Sequence, residues 1–382
     1  MANSKKILLR GYFGHRNLGD DLLFLEALDK CPQQYKLYAL GDEEALKEFQ
    51  HRRPFTVIGK KREIFSHHFL ATLFFGGGQF PNRKYSFREY LSMRLSFVTS
   101  NIVVMNGLGI VPKIGSKSNF WFKRMLNSVD HISVRDDISL EYVKGLGVRK
   151  EIHNCGDLYW GSSTPEASFE RRNVSSRTNL LICLGEPFSP LELQEDSYST
   201  RYDAFVGVLQ DAIAYLIGKG YRPTFVPFFD GSDSKIIDNI CSDPRIKDPT
   251  ILAAGRDFEL SQIDEIFRSA GLGICMRFHS KVLAIKNELP FVGICYDFKS
   301  VSLLQESNLT DVGLKYGIRE SQFFGEEFDI SFEQMKETID YVTSHAEQLR
   351  MKMPVFCEGK RYSVLKNHKR VFELLDRAIQ YR

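Results

Sequence analysis

The chain has 382 residues, 43% hydrophobic and 26% charged, a composition that excludes a disordered protein and suits two globular domains. Its formal net charge of +3 lacks the basic excess of a dedicated nucleic-acid binder, so no nucleic-acid partner is expected. The opening "MANSKKILLRGYFGHRN" has only a short apolar run, unlike a signal peptide, and no stretch nears the roughly 18 apolar residues of a membrane span. A cytoplasmic chain is the expectation.

The first half alternates strand-length apolar runs with amphipathic segments. "KKILLRGYF" reads as a strand and "DDLLFLEALDKC" as a helix with Leu22, Leu25 and Leu28 on one stripe. "YKLYAL" is a strand and "DEEALKEFQ" a helix opened by acids at its positive end. Strands "TVIG" and "LATLFF" follow, then a helix near 88–100, strand "NIVVMNGLGI", a helix near 119–128, strand "HISVR", helix "DISLEYVKGLG" and strand "EIHNC". Residues 161–179 are polar and read as a linker. The pattern then restarts with strand "LLICLG", a helix near 201–219, strand "PTFVPFF", helices "SDSKIIDNIC" and "FELSQIDEIFRSA", strand "LGICM", helix "SKVLAIKNE", strand "FVGICY" and helix "SVSLLQES". Two late helices, near 332–349 and 360–381, close the chain. Buried runs joined by helices predict parallel sheets covered on both faces. The expected class is α/β, with two doubly wound domains facing one cleft. The first covers 1–165, the second 178–330, and helices fill 331–382.

Seven cysteines include no CxxC pair, which indicates neither a zinc site nor a redox pair, and they read as small buried hydrophobes. No metal-ligand cluster stands out.

Ligands bind such sheets at the carboxyl ends of the strands. "GYFGHRNLGDD" has Gly11, Gly14 and Gly19 at a strand end, with Asp20 as a candidate helix cap. A ligand loop and a plain strand-to-helix turn are both open there. The spacing is not GxGxxG, so no dinucleotide fingerprint is present. Gly76, Gly77 and Gly78 could line a substrate floor or simply permit close packing, and "NGLGIVP" from Asn106 makes a similar case. Arg135 follows a strand and precedes Asp136, so it either holds an anion or forms a structural pair. The richest cluster is "MRFHSKVLAIKNELPFVGICYDFK". Arg277 ends one strand, His279 and Ser280 open a helix, and Lys299 follows the next strand. Two cations, an imidazole and a helix N-terminus suit a small, multiply charged anion.

"GYFGHRNLGDD", "FFGGG", "SVRD", "RFHS" and "YDFK", in this order from about residue 5 to 310, together resemble the polysaccharide pyruvyl transferase family. The resemblance implies a GT-B-like fold. It implies transfer of a pyruvyl group from phosphoenolpyruvate, as co-substrate, to a sugar, with no cofactor and no metal. It carries the family's anion-holding arginine, histidine and lysine onto Arg135, His279 and Lys299; with the cluster above, the donor is expected at Arg135, Arg277, His279, Ser280 and Lys299, with His279, Arg277 and Lys299 catalytic. The acceptor, a sugar or lipid-linked oligosaccharide, would meet Gly14, His15, Asn17, Asp20, Gly77, Gly78 and Asn106. A nucleotide-sugar glycosyltransferase and a non-catalytic carbohydrate-binding module are the rival readings. "NRKYSFREYLSMRLSF" and "NFWFKRM" mix basic and aromatic residues. They read as helices with a solvated face, or as a surface that rests on a membrane; a peripheral contact at its inner face is therefore a further expectation.

Overall fold

A computed structural model of the chain describes residues 5–78, 80, 84–113, 115–162, 178–186, 195–229, 231–255, 257–317 and 329–380. The chain divides into two compact units, 1–162 with 359–382, and 163–358. Most of the expected linker, 163–177, lies outside the described residues.

In the first unit seven strands are all parallel, in the order β3-β2-β1-β4-β5-β6-β7. They are β1 (Lys6–Arg10), β2 (Lys36–Leu40), β3 (Phe55–Ile58), β4 (Phe69–Phe75), β5 (Ser100–Leu108), β6 (His131–Val134) and β7 (Ile152–Asn154). Every residue of β4, FLATLFF, is buried, as a central strand covered on both faces requires. Helices α1 (Leu18–Lys30), α2 (Glu43–Lys47), α3 (Phe87–Val98), α4 (Ser116–Leu126) and α5 (Asp137–Gly145) join the strands. Ser86 and Glu89 form a capping box that fixes where α3 starts.

The second unit repeats the scheme as β10-β9-β8-β11-β12-β13, again parallel throughout. Its strands are β8 (Asn179–Cys183), β9 (Arg222–Phe225), β10 (Thr250–Ile251), β11 (Leu272–Cys275), β12 (Phe291–Cys295) and β13 (Gly313–Lys315). Its helices are α6 (Glu195–Gly218), α7 (Ser232–Cys241), α8 (Ile263–Ser269), α9 (Phe278–Lys286), α10 (Phe298–Glu306) and α11 (Phe332–Ser344). Both sheets thus run 3-2-1-4-5-6 outward from two central strands, the doubly wound order, and the first adds a seventh strand at its edge.

Three expectations need correction. β10 and β13 were not anticipated; they have two and three residues, too few for a hydrophobic pattern. The segment "FELSQIDEIFRSA" is not one helix: a 3₁₀ turn at Leu260–Gln262 precedes α8. The last helix starts at Ala346, well before 360, and continues to Gln380 as α12, with Pro354 inside it. Proline and Gly359 suggest a break in sequence, but burial of Leu349, Met353 and Val364 overrides that local preference. From Gly359 onward α12 belongs to the first unit. There Asn367 bonds Asn106 and pairs at 3.1 Å with His131, while Asp376 accepts from Tyr35 at 2.6 Å. His368 stacks on Phe75, ring centroids 5.7 Å apart, with Nε2 3.7 Å from Glu26.

Candidate active site

In the second unit β11 and β12 are neighbours in register, Cys275 beside Gly293, so the segments that follow them emerge side by side. Arg277 is the N-cap of α9, and Phe278, His279 and Ser280 form its first turn. The helix therefore opens two residues earlier than the sequence suggests. Asp297 caps α10 by accepting from the Ser300 N–H at 2.9 Å, which puts Lys299 in that helix's first turn. Lys299 Nζ lies 3.2 Å from Asp297 and 5.8 Å above the Phe278 ring, and that ring meets His279 edge-on at 5.3 Å. The structure thus groups Arg277, His279, Ser280 and Lys299 at two adjacent strand ends. The N-terminal, positive ends of the α9 and α10 dipoles point to that end.

The arginine is not an open cation. Its Nε donates to Asp233 Oδ2 at 3.2 Å, and its Nη2 to Ser232 Oγ at 3.1 Å and to Asp233 Oδ1. Asp233 is fully buried and also accepts from the N–H groups of Phe228 and Phe229, at 3.0 and 2.9 Å. Burial disfavours the guanidinium charge, but Tyr296 and Asp233 outweigh it and raise the pKa of Arg277 above its ordinary value. Gly185 makes this geometry possible: a Cβ there would lie 2.2 Å from Arg277 Nε.

Sequence reading missed two buried groups of this unit. Lys281 is fully buried, and its Nζ donates to Met276 O at 2.5 Å and to Ser300 Oγ at 3.4 Å. The available signal was a lysine three residues after Phe278 and four before Ile285, on one helix face with both. Burial pushes the Asp297 carboxyl up, but Lys299, Lys281 and Ser300 together hold it below its ordinary value. The other group is Asp233, hidden in an ordinary-looking amphipathic helix.

In the first unit Arg135 is also buried. Its Nε stands 3.4 Å from Asp136 Oδ2, its Nη1 3.8 Å from Asp157 Oδ2. This is the structural pairing that the sequence left open, with a second carboxylate added. A Cβ on Gly109 would sit 2.4 Å from the guanidinium, so a glycine backs this arginine too.

The loop after β1 also departs from expectation. Asn17, not Asp20, caps α1, accepting from the Gly19 N–H at 3.2 Å; Asp20 falls inside the first turn. Gly14 has φ +69° and donates its N–H to Asp21 Oδ1 at 2.8 Å. Burial raises the Asp21 carboxyl to about 7, against the Gly14 hydrogen bond that lowers it and with a further push from Asp20 and Glu48. Gly77 has φ +71°, and a Cβ there would meet Asp20 Oδ1 at 2.6 Å, so the β1 and β4 loops touch. Gly78 has open space, and His15 is exposed, stacked on Tyr12 at 4.1 Å. Asn106 is instead an interior residue, accepting from Ser133 at 3.2 Å and from Asn367. Of the expected acceptor residues, Gly14, His15, Asn17, Gly77 and Gly78 belong to these two loops, Asp20 to the first turn of α1, and Asn106 to the core.

Among the described residues no group of three His, Cys, Asp or Glu side chains is arranged to hold a metal, and no helix is long and apolar enough to cross a membrane.

The profile of the family described as polysaccharide pyruvyl transferase matches residues 17–297. No curated protein gives a significant sequence match. Among solved structures, the chain is similar to S. aureus MnaA bound to UDP, at 9% identity and a TM-score of 0.58 over 97% of each chain. It is similar to a Listeria monocytogenes putative UDP-N-acetylglucosamine 2-epimerase, at 10% identity and a TM-score of 0.55, covering 94% of this chain and 93% of that one. It is also similar to Anabaena HepE in complex with UDP and glucose, at 13% identity and a TM-score of 0.52, covering 97% and 99%. At such identities the likeness speaks for the fold, which is GT-B-like as the motifs imply.

Proposed function

The chain belongs to the polysaccharide pyruvyl transferase family and is a transferase; from that premise we propose that it moves the pyruvyl group of phosphoenolpyruvate onto two hydroxyls of a sugar, forming a cyclic ketal and releasing phosphate. The acceptor in this reading is a galactose- or mannose-type residue of a lipid-linked polysaccharide precursor for a capsule or exopolysaccharide, met in the cytoplasm at the membrane's inner face.

The observation that carries the reading is the grouping of Lys299, His279 and Arg277 with two helix N-termini at adjacent strand ends. Phosphoenolpyruvate presents a carboxylate and a phosphate, and such groups are held by cations and backbone N–H donors. In this reading Lys299 and the N–H groups of α9 hold the donor. Arg277, fixed by Asp233, sets the shape of the pocket and faces the leaving phosphate. His279 is the general acid that protonates the methylene carbon of the enol, since an imidazole can give a proton near neutral pH. One sugar hydroxyl then bonds to the central carbon, phosphate leaves, and the second hydroxyl closes the ketal, each hydroxyl losing its proton. The loops of Gly14 and Gly77 receive the sugar, and their missing side chains allow close approach.

The test uses phosphoenolpyruvate and a panel of free and lipid-linked glycosides, read by mass. The expected product is heavier than its acceptor by one pyruvate less one water. Phosphoenolpyruvate alone should also raise the melting temperature, because a ligand of the folded state stabilises it. Stabilisation and turnover with a nucleotide sugar, and none with phosphoenolpyruvate, would overturn the reading in favour of a glycosyltransferase.

A further inference from the structure

Helices α3 and α4 are separated in sequence by β5, yet they pack side by side and leave one mixed surface. Trp121 of α4 bridges them, its ring 4.7 Å from Phe87 and 5.2 Å from Tyr90, and Arg124 Nε donates to Tyr90 OH at 3.2 Å. The outward stripe of α3 carries Phe87, Leu91 and Val98, at 52%, 49% and 73% exposure. The outward stripe of α4 carries Phe120, at 54%, beside the half-buried Trp121. Exposed cations alternate with these apolar groups: Lys84, Arg88 and Arg94 on the α3 side, Lys117 and Arg124 on the other. The single carboxylate on the two helices, Glu89, turns back to accept from the Ser86 N–H in the capping box. From 84 to 126 the excess of cations exceeds the +3 of the whole chain.

We propose that the α3–α4 face docks on an anionic lipid surface. Aromatic rings enter the headgroup boundary while flanking lysines and arginines meet the negative surface potential, and both are present here in alternation. A protein partner fits less well, because these apolar groups are divided by charges and do not form the charge-depleted apolar core of a protein interface. The face lies on one unit and makes an interfacial contact only. It stands on its own residues and does not depend on the pyruvyl-transfer reading; the two meet where the acceptor is lipid-linked.

The test is sedimentation of the full chain with phosphatidylglycerol–phosphatidylcholine vesicles and with pure phosphatidylcholine vesicles, at low and moderate salt. The expected result is binding to the anionic vesicles alone, weakened by salt. Two multiple variants, Phe87→Ser with Phe120→Ser, and Arg88→Gln with Arg94→Gln and Lys117→Gln, should each cut the bound fraction on the order of tenfold or more, with the melting temperature retained. All five positions are exposed, so folding survives the changes. No cosedimentation at low salt, equal binding to neutral vesicles, or undiminished binding by both variants overturns the proposal. So does a chain that ignores vesicles but forms dimers that the aromatic variant abolishes, which assigns the face to a second copy. Pyruvyl transfer to a soluble acceptor, measured without vesicles, keeps this failure separate from a failure of the enzymatic reading.

Discussion

Asp21 offers a test of the loop after β1 that does not depend on any substrate. Its carboxyl is buried, holds the Gly14 N–H at 2.8 Å, and is raised from 3.8 to about 7, chiefly by burial. In the unfolded chain it ionises near 4, so folding takes up a proton between about pH 4 and pH 7. Stability from this group is complete below the lower value and lost as pH rises through the upper one. Each pKa unit amounts to about 1.4 kcal/mol, so the full span is about 4 kcal/mol, of which about 2.5 kcal/mol falls between pH 5 and pH 8. Asp21→Asn keeps an oxygen for the Gly14 N–H and cannot ionise. Denaturant unfolding of both proteins from pH 5 to pH 8 isolates the effect, because all other titrations cancel in the difference. The asparagine variant should gain on the parent steadily as pH rises, and be the more stable of the two at pH 8. A difference that stays constant across the range refutes the reasoning, and so does one that shrinks.

Three further outcomes follow from the second unit. Gly185→Ala puts a methyl group against Arg277 and forces it off a fully buried aspartate, so it should cost about 3 kcal/mol in unfolding experiments; a neutral result would mean that the arginine relocates freely. His279→Gln should lower kcat by about a hundredfold or more at an unchanged melting temperature, the size expected for a lost general acid; a fully active, well-folded variant ends that role. Lys299→Ala removes a half-exposed cation, so KM for phosphoenolpyruvate should rise about tenfold with kcat nearly kept; the reverse split would place the lysine in the chemical step.

The fold was legible because each central strand is a near-continuous apolar run and each helix has a stripe. LLIC, LGIC and FVGIC are buried throughout or nearly so, and the matching helices fell within a few residues of their observed limits. The two short edge strands were not legible, since pairing to a neighbour, not composition, makes them strands. Within the site, the strand-end position of Arg277, His279 and Lys299 could be read because parallel strands fix where the following residues emerge. What each cation touches could not. Asp233 lies 44 positions from Arg277, and Asp157 lies 22 from Arg135, so only tertiary structure makes these pairs. The glycines that back both arginines, Gly185 and Gly109, were equally hidden: sequence shows that a side chain is missing, not what occupies its place.

The pairing changes the charge argument for the donor. Read from sequence, Arg277 and Lys299 are two cations awaiting an anion. In the folded unit each faces an aspartate, Asp233 and Asp297, and the four charges cancel. The excess that remains is the buried Lys281, which lies below the strand end and bonds Met276 O and Ser300 Oγ. A buried ammonium is screened by water far less than a surface one, so its field acts strongly at the strand end beside it. The first-turn N–H groups of α9 and α10 add to that field with fixed direction. Affinity for the proposed, multiply charged donor would then rest on Lys299, on backbone dipoles and on the field of the interior lysine, while the paired arginine supplies shape and orientation. In the proposed reading selectivity follows from the same arrangement: a site with a small net charge and rigid donors would favour an anion whose carboxylate and phosphate match its geometry over one that is merely more negative.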